Sequence, residues 1–231
     1  MKNKAIILTV FAIAMACLES AVVVYIRELY FADGFSIVFR PIKELIIKTE
    51  LTREFATIVM LYTIACIMSK SSHKRFAWFI YSFAIWDIFY YIWLKVFINW
   101  PISVFEWDIL FLLPVTWLGP VLAPVLCSFA MILLAYVIIK FDAKLILKEW
   151  LLLTLGSLFI LYTFMYDYGK LFLENGFWKD VTSLLHNPNF IAKATALRPI
   201  PFQWLIFNIG LGIICASIVI YAKRNFKPIS L

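Results

Sequence analysis

The chain has 231 residues, of which 64% are hydrophobic and only 15% charged, with a formal charge of +7. Soluble domains carry about 25% charged residues and roughly half apolar ones. A mean hydropathy of +0.92 therefore excludes folding in water alone and makes the lipid bilayer the solvent. The basic residues stand in short clusters between apolar runs, which is the pattern of membrane topology, so no nucleic-acid partner is expected.

The first apolar run, 5–26, follows Met1-Lys2-Asn3-Lys4. Ala14-Met15-Ala16-Cys17 is loosely like a lipoprotein cleavage site, but the run continues through Val22-Val23-Val24 and is too long for a signal core. It reads as an uncleaved first transmembrane helix. Ala12, Ala16 and Ser20 recur every fourth residue and allow another helix to approach closely, with Glu19 beside them. Asp33-Gly34 makes a turn, and Arg40-Pro41 opens a short interfacial amphipathic helix with Ile42, Leu45 and Ile46 toward lipid. The second span, 51–69, carries Glu54, Thr57 and Leu61 on one stripe that begins at Glu50, with Arg53 next to it.

The third span, 76–97, contains Asp87. Eleven residues past Phe76, it lies about 16 Å along the helix, near the middle of a ~30 Å hydrocarbon core. A carboxylate at that depth is costly and needs a partner. Its helix face carries Tyr90, Tyr91 and Lys95. Asn99-Trp100-Pro101 ends the span, and Asp108 follows in a second Trp-Asp pair. Pro114, Gly119-Pro120 and Pro124 interrupt the next apolar run, predicting a re-entrant or kinked segment over 109–118 and a fourth span over 121–139. The fifth span is 149–166. The polar stretch 167–201 holds turns at Asn175-Gly176 and Asn187-Pro188 and a short surface helix over 177–185. The sixth span is 202–221, with Asn208, Gly212 and Ala216 as another close-packing face.

The expected architecture is all-α: one polytopic membrane helix bundle over 1–231, with six transmembrane helices, a re-entrant or kinked segment and an interfacial helix. With both termini in the cytoplasm, every inner loop is basic (Lys70, Lys74 and Arg75; Lys140, Lys144 and Lys148; Lys223, Arg224 and Lys227), as the positive-inside rule requires of a bacterial cytoplasmic (inner) membrane protein.

In that orientation Glu19, Glu54, Asp87 and Asp108, from four segments, collect in the outer half or at mid-depth, with Tyr90 and Tyr91 beside them. Arg27, Arg53 and Lys95 lie near the same boundary as counter-charges or headgroup ligands. The inner half shows no ionisable residue of comparable depth. Three readings follow. The cluster binds or moves a small cationic or polar ligand or a proton, although only Thr154, Ser157 and Asn208 continue a path inward. It is a membrane-embedded enzyme acting on a lipid or headgroup at the outer leaflet, although HExxH, P-loop and GxSxG motifs are absent from the sequence. Or the chain is an accessory subunit of a membrane complex, with a membrane-protein partner or a second copy. Against all three stands a purely structural role, in which buried acids and bases pair to fix helix register. His73 and His186 fall on opposite sides and cannot share a metal, and the sequence indicates no cofactor.

Overall fold

A computed structural model describes residues 2–31, 43–112, 115–179, 186–197 and 200–226. Among the described residues the chain forms α1 (Lys2–Tyr30), α2 (Glu44–Met68), α3 (Ser72–Ile98), β1 (Trp107–Phe111), β2 (Trp117–Pro120), α4 (Leu122–Phe141), α5 (Leu147–Glu174), α6 (Pro188–Ala196) and α7 (Trp204–Asn225), with a 3-10 turn at Phe177–Lys179. All of these except β1, β2, the 3-10 turn and α6 are long and apolar enough to cross a membrane, six helices among the described residues. The architecture is the expected all-α membrane bundle. In lipid each backbone N–H and C=O must find its partner within the chain, and an unbroken helix does this residue by residue.

Two of the helices, α3 and α4, end on a residue that tolerates left-handed backbone. Asn99 (φ 54°) closes α3 with its N–H on the Lys95 carbonyl, and Asp142 (φ 51°) closes α4 on Ile138. Pro124 does not break α4. It sits in the first turn, where a missing N–H costs nothing because no intrahelical acceptor precedes it. The real break lies just before. Where a re-entrant or kinked piece is expected over 109–118, residues 109–111 and 117–118 belong to an antiparallel β1–β2 pair that joins Asp108 to Gly119 and Ile109 to Leu118. A hairpin satisfies its backbone groups across the ladder, so non-helical chain can lie against a membrane bundle. Gly119 lets the hairpin seat on α5, since a Cβ there would come 3.1 Å from the Phe164 ring.

Two other expectations change form. Residues 44–48, expected in a separate interfacial helix, are the first turns of α2; Asp33-Gly34 and Arg40-Pro41 lie outside the described residues. Asn187-Pro188 is a helix start rather than a free turn: the Asn187 side chain accepts from the Asn189 and Phe190 N–H groups (3.0 and 3.3 Å), and Pro188 opens α6. Of the surface helix expected over 177–185, the described part is the 3-10 turn.

The third helix is the hub, packing against α1, α2 and α4, while α7 joins α4 to α5. Ala12, Ala16 and Ser20 are fully buried, and the Ser20 hydroxyl donates to the Tyr90 carbonyl at 3.0 Å, so the predicted small face of α1 is the one that meets α3. The small face predicted on α7 is not used. Gly212 has no heavy atom within 4 Å of a would-be Cβ, and Asn208 and Ala216 are exposed. The close approach is instead between Gly156 of α5 and Gly210 of α7. Both stripes of α7 hold small residues, and only the partner helix decides between them.

At one end of the bundle Lys4 Nζ donates to the Met68 carbonyl (3.0 Å) and Lys74 Nζ to Asp142 Oδ2 (2.5 Å). There Arg224 also grips Glu149 through Nε (2.8 Å) and Nη2 (3.0 Å). The first and last helices thus begin and end on the same, basic side. Glu149 is completely buried. Its side chain also accepts the Ile146 N–H at the start of α5 (2.8 Å), so it is a helix-start clamp at the basic end and not a group at the depth of Asp87.

Asp142 links α4 to α3. Its hydrogen bond from Lys74, and secondarily the one with His73, hold the carboxyl below its ordinary range. A depressed carboxyl stabilises the fold above the unfolded value of about 3.9, and that contribution disappears as pH falls through the lower folded value. Wild-type protein is therefore expected to lose a small increment of thermal stability below about pH 4 that Asp142→Asn lacks. Melting curves in detergent from pH 7 to pH 3 test this; parallel curves for the two proteins would refute it.

Candidate functional site

The site grows from the contact of α1 and α2 with α3. Close packing at Ala16 and Ser20 brings Glu19 against α2, where Arg53 Nη1 bonds to Glu19 Oε1 while its Nε and Nη2 hold Glu50 Oε2 (2.9 and 2.6 Å). The Thr57 hydroxyl donates to the other oxygen of Glu19 at 3.3 Å. Next to Arg53 in the chain, Glu54 is buried and accepts the Leu112 N–H with both oxygens (3.1 and 3.0 Å), which ties the hairpin to α2. Asp108 pairs with Arg27 (3.1 Å), and both are buried; the Tyr90 hydroxyl reaches Asp108 Oδ2 at 3.5 Å, and the Arg27 guanidinium lies 3.9 Å from the centre of the Trp100 ring. Lys95 stands apart, donating to the Asn99 and Pro101 carbonyls at the end of α3 (3.3 and 3.0 Å).

Asp87 differs from all of these. Among the described residues its carboxylate has one hydrogen-bond partner, the Ser128 hydroxyl of α4 at 2.7 Å. Glu19 is held by Arg53 and Thr57, and Asp87 by Ser128, so among the described residues no side chain bridges the two. What they share is a space. Glu19, Arg53, Glu54, Asp87, Tyr90 and Tyr91 line a polar chamber of about 50 Å³ beneath the hairpin. On its other side Asp87 lines a groove of about 550 Å³ between α3, α4 and α5, closed behind by Ile214 of α7 and roofed by Leu110, Phe111 and Trp117 of the hairpin. Among the groove's lining residues Asp87 alone is charged. Trp86, Leu110 and Phe111 belong to both spaces, so chamber and groove adjoin at Asp87.

The groove was not legible in the sequence. It exists because α4 and α5, consecutive in the chain, both lean on α7 and leave a gap between them. Trp150 and Phe164 mark its ends on α5, 14 residues or about 21 Å apart, and a Phe76–Trp150 contact (5.0 Å between ring centres) closes the basic end. Thr154 and Ser157, expected on an inward path, do line it, while Asn208 faces outward. Thr154, Ser157 and Leu158 are exposed, so the groove opens sideways toward the bilayer. Ser128 was missed, being one small hydroxyl in an apolar helix, where serine is usually spent on its own backbone.

The carboxylates are distributed among separate partners. Among the described residues no group of three or more His, Cys, Asp and Glu side chains is placed to hold a metal ion. Six spanning helices around a buried polar cluster define a multi-pass integral membrane protein. Beyond that class, no protein-family model matches the chain, and neither a curated protein nor a solved structure resembles it.

Proposed function

We propose that this protein binds a lipid-like amphiphile taken laterally from the bilayer, with its apolar chain in the α3–α4–α5 groove and its polar end at Asp87. The observation that carries the reading is the junction: one carboxylate stands on the wall of an apolar groove and on the wall of a polar chamber at once. Ligand sites commonly measure about 300–1,000 Å³, apolar with a few convergent polar groups, and the groove falls in that range. Its length of about 21 Å exceeds the ~15 Å of a single leaflet, so a long chain fits without kinking. Each buried methylene contributes about 0.8 kcal/mol relative to water, but almost nothing relative to lipid, so selection between amphiphiles falls to the polar end. With the basic end in the cytoplasm of a bacterial inner membrane, that polar end lies toward the outer leaflet.

Photo-crosslinking tests this. Nanodiscs containing phospholipid with a diazirine near the chain end are irradiated, and adducts are mapped by mass spectrometry. Adducts are expected to concentrate on Met131, Leu134 and Leu158 of the groove over Leu151 and Leu205, which are exposed elsewhere. Ser157→Trp, at an exposed position on the groove wall, is expected to abolish the excess. Uniform labelling of all exposed leucines would overturn the proposal.

A further inference from the structure

Resting on that reading, we infer that the polar end of the ligand is a small monocation, the primary ammonium of an amine-bearing amphiphile. The inference comes from an account of donors and acceptors around the chamber. Its charged and hydroxyl donors already serve protein carboxylates, Arg53 shared between Glu19 and Glu50 and the Tyr90 hydroxyl pointing to Asp108, while the neutral Trp86 indole N–H has no partner among the described residues. Just outside, Arg27 is likewise engaged by Asp108. Asp87 takes a single hydrogen bond, from Ser128 to Oδ2, and among the described residues no donor reaches its Oδ1. The one charged group the chamber offers a visitor is therefore an acceptor, the Asp87 carboxylate. Charge agrees, since three carboxylates (Glu19, Glu54 and Asp87) face one guanidinium (Arg53) across the lining. An anionic headgroup would meet that excess of negative charge with only the neutral Trp86 N–H as an unspent donor among the described residues.

Size narrows the choice. About 50 Å³ accommodates one or two water-sized groups. An ammonium group is water-sized and carries three donors; a quaternary trimethylammonium is larger and has none, and a phosphodiester is larger and of the wrong sign. The faces of Trp86 and Tyr90, stacked with ring centres 6.5 Å apart, line the same chamber and favour a cation over a neutral alcohol.

The test measures binding of hexadecylamine, hexadecanol, hexadecyltrimethylammonium and hexadecyl phosphate to the full chain in detergent at pH 7, each by competition with the photoreactive phospholipid. The amine is expected to bind about tenfold or more tightly than the other three, as a charge-assisted hydrogen bond implies, and Asp87→Asn to remove that advantage while leaving hexadecanol unchanged. The proposal is overturned if hexadecyl phosphate competes as well as the amine, or if Asp87→Asn keeps the preference. It is also overturned if ammonium chloride alone displaces the amine at equal concentration, because the site would then serve a free cation. The two readings fail separately. Chains that compete regardless of head, and lose competition in Ser157→Trp, leave the groove standing and remove only the ammonium. Failure of every hexadecyl compound to compete removes both.

Discussion

Gly156→Leu is expected to force α5 away from α7 and to destabilise the protein strongly. A Cβ on residue 156 would lie 2.6 Å from the Gly210 carbonyl oxygen and 2.7 Å from Ile214 Cγ1, and a Cβ on residue 210 would lie 2.7 Å from the Gly156 carbonyl oxygen. Backbone stands on both sides, so no rotamer change relieves the clash. The helices must separate, and the contacts along their shared face, including the Ser217 hydroxyl on the Glu149 carbonyl (3.0 Å), weaken together. Gly156→Ala alone should cost about 1–3 kcal/mol by overpacking, even though alanine is intrinsically the better helix former by about 1 kcal/mol. Gly212→Ala is the control. With nothing within 4 Å of its Cβ it gains the propensity term unopposed and should be neutral or slightly stabilising. Thermal unfolding in detergent separates the two; equal melting temperatures for Gly156→Ala and Gly212→Ala would mean that α5 and α7 do not touch where described.

This pair of glycines also shows what the sequence could and could not reveal. The six spans were legible because apolar runs of bilayer length bounded by charge have one stable form in lipid. The small stripe of α1 was read correctly, since Ala12, Ala16 and Ser20 recur every fourth residue and Glu19 beside them needed an interior. On α7 two small stripes compete, and the choice depends on Gly156 more than fifty residues earlier, which local pattern cannot supply. The hairpin was hidden for a related reason. Proline and glycine announce a break, but its shape depends on Glu54 receiving the Leu112 N–H and on Phe164 meeting Gly119, both long-range contacts. Of the polar residues singled out in the sequence, Glu19, Arg53, Glu54, Asp87, Tyr90 and Tyr91 meet around one chamber; Arg27 and Asp108 form a neighbouring pair, and Lys95 caps its own helix. Depth in the membrane was enough to bring candidates together, and only the partner of each distinguishes a clamp from a binding group.

That distinction makes Asp108→Ala the second large effect. Asp108 and Arg27 are both buried, their side chains 2% and 8% exposed, and they join β1 to the end of α1. Truncating the acid leaves a guanidinium in a poorly solvated place with a main counter-charge gone, which costs about 3–5 kcal/mol in comparable pairs. It also removes the acceptor of the Tyr90 hydroxyl. Asp108→Asn keeps an oxygen for both donors and should lose less, because what disappears is the charge and not the hydrogen bonds. The decisive comparison is the double variant Arg27→Met with Asp108→Leu. Removing both charges removes the desolvation penalty of each, and apolar replacements of similar volume are often neutral or even stabilising. The double variant should therefore melt well above Asp108→Ala and close to wild type. If it unfolds as readily as the single truncation, the pair stabilises the hairpin by more than mutual neutralisation. An Asp108→Ala protein within about 0.5 kcal/mol of wild type would show that the hairpin is not anchored through this pair at all.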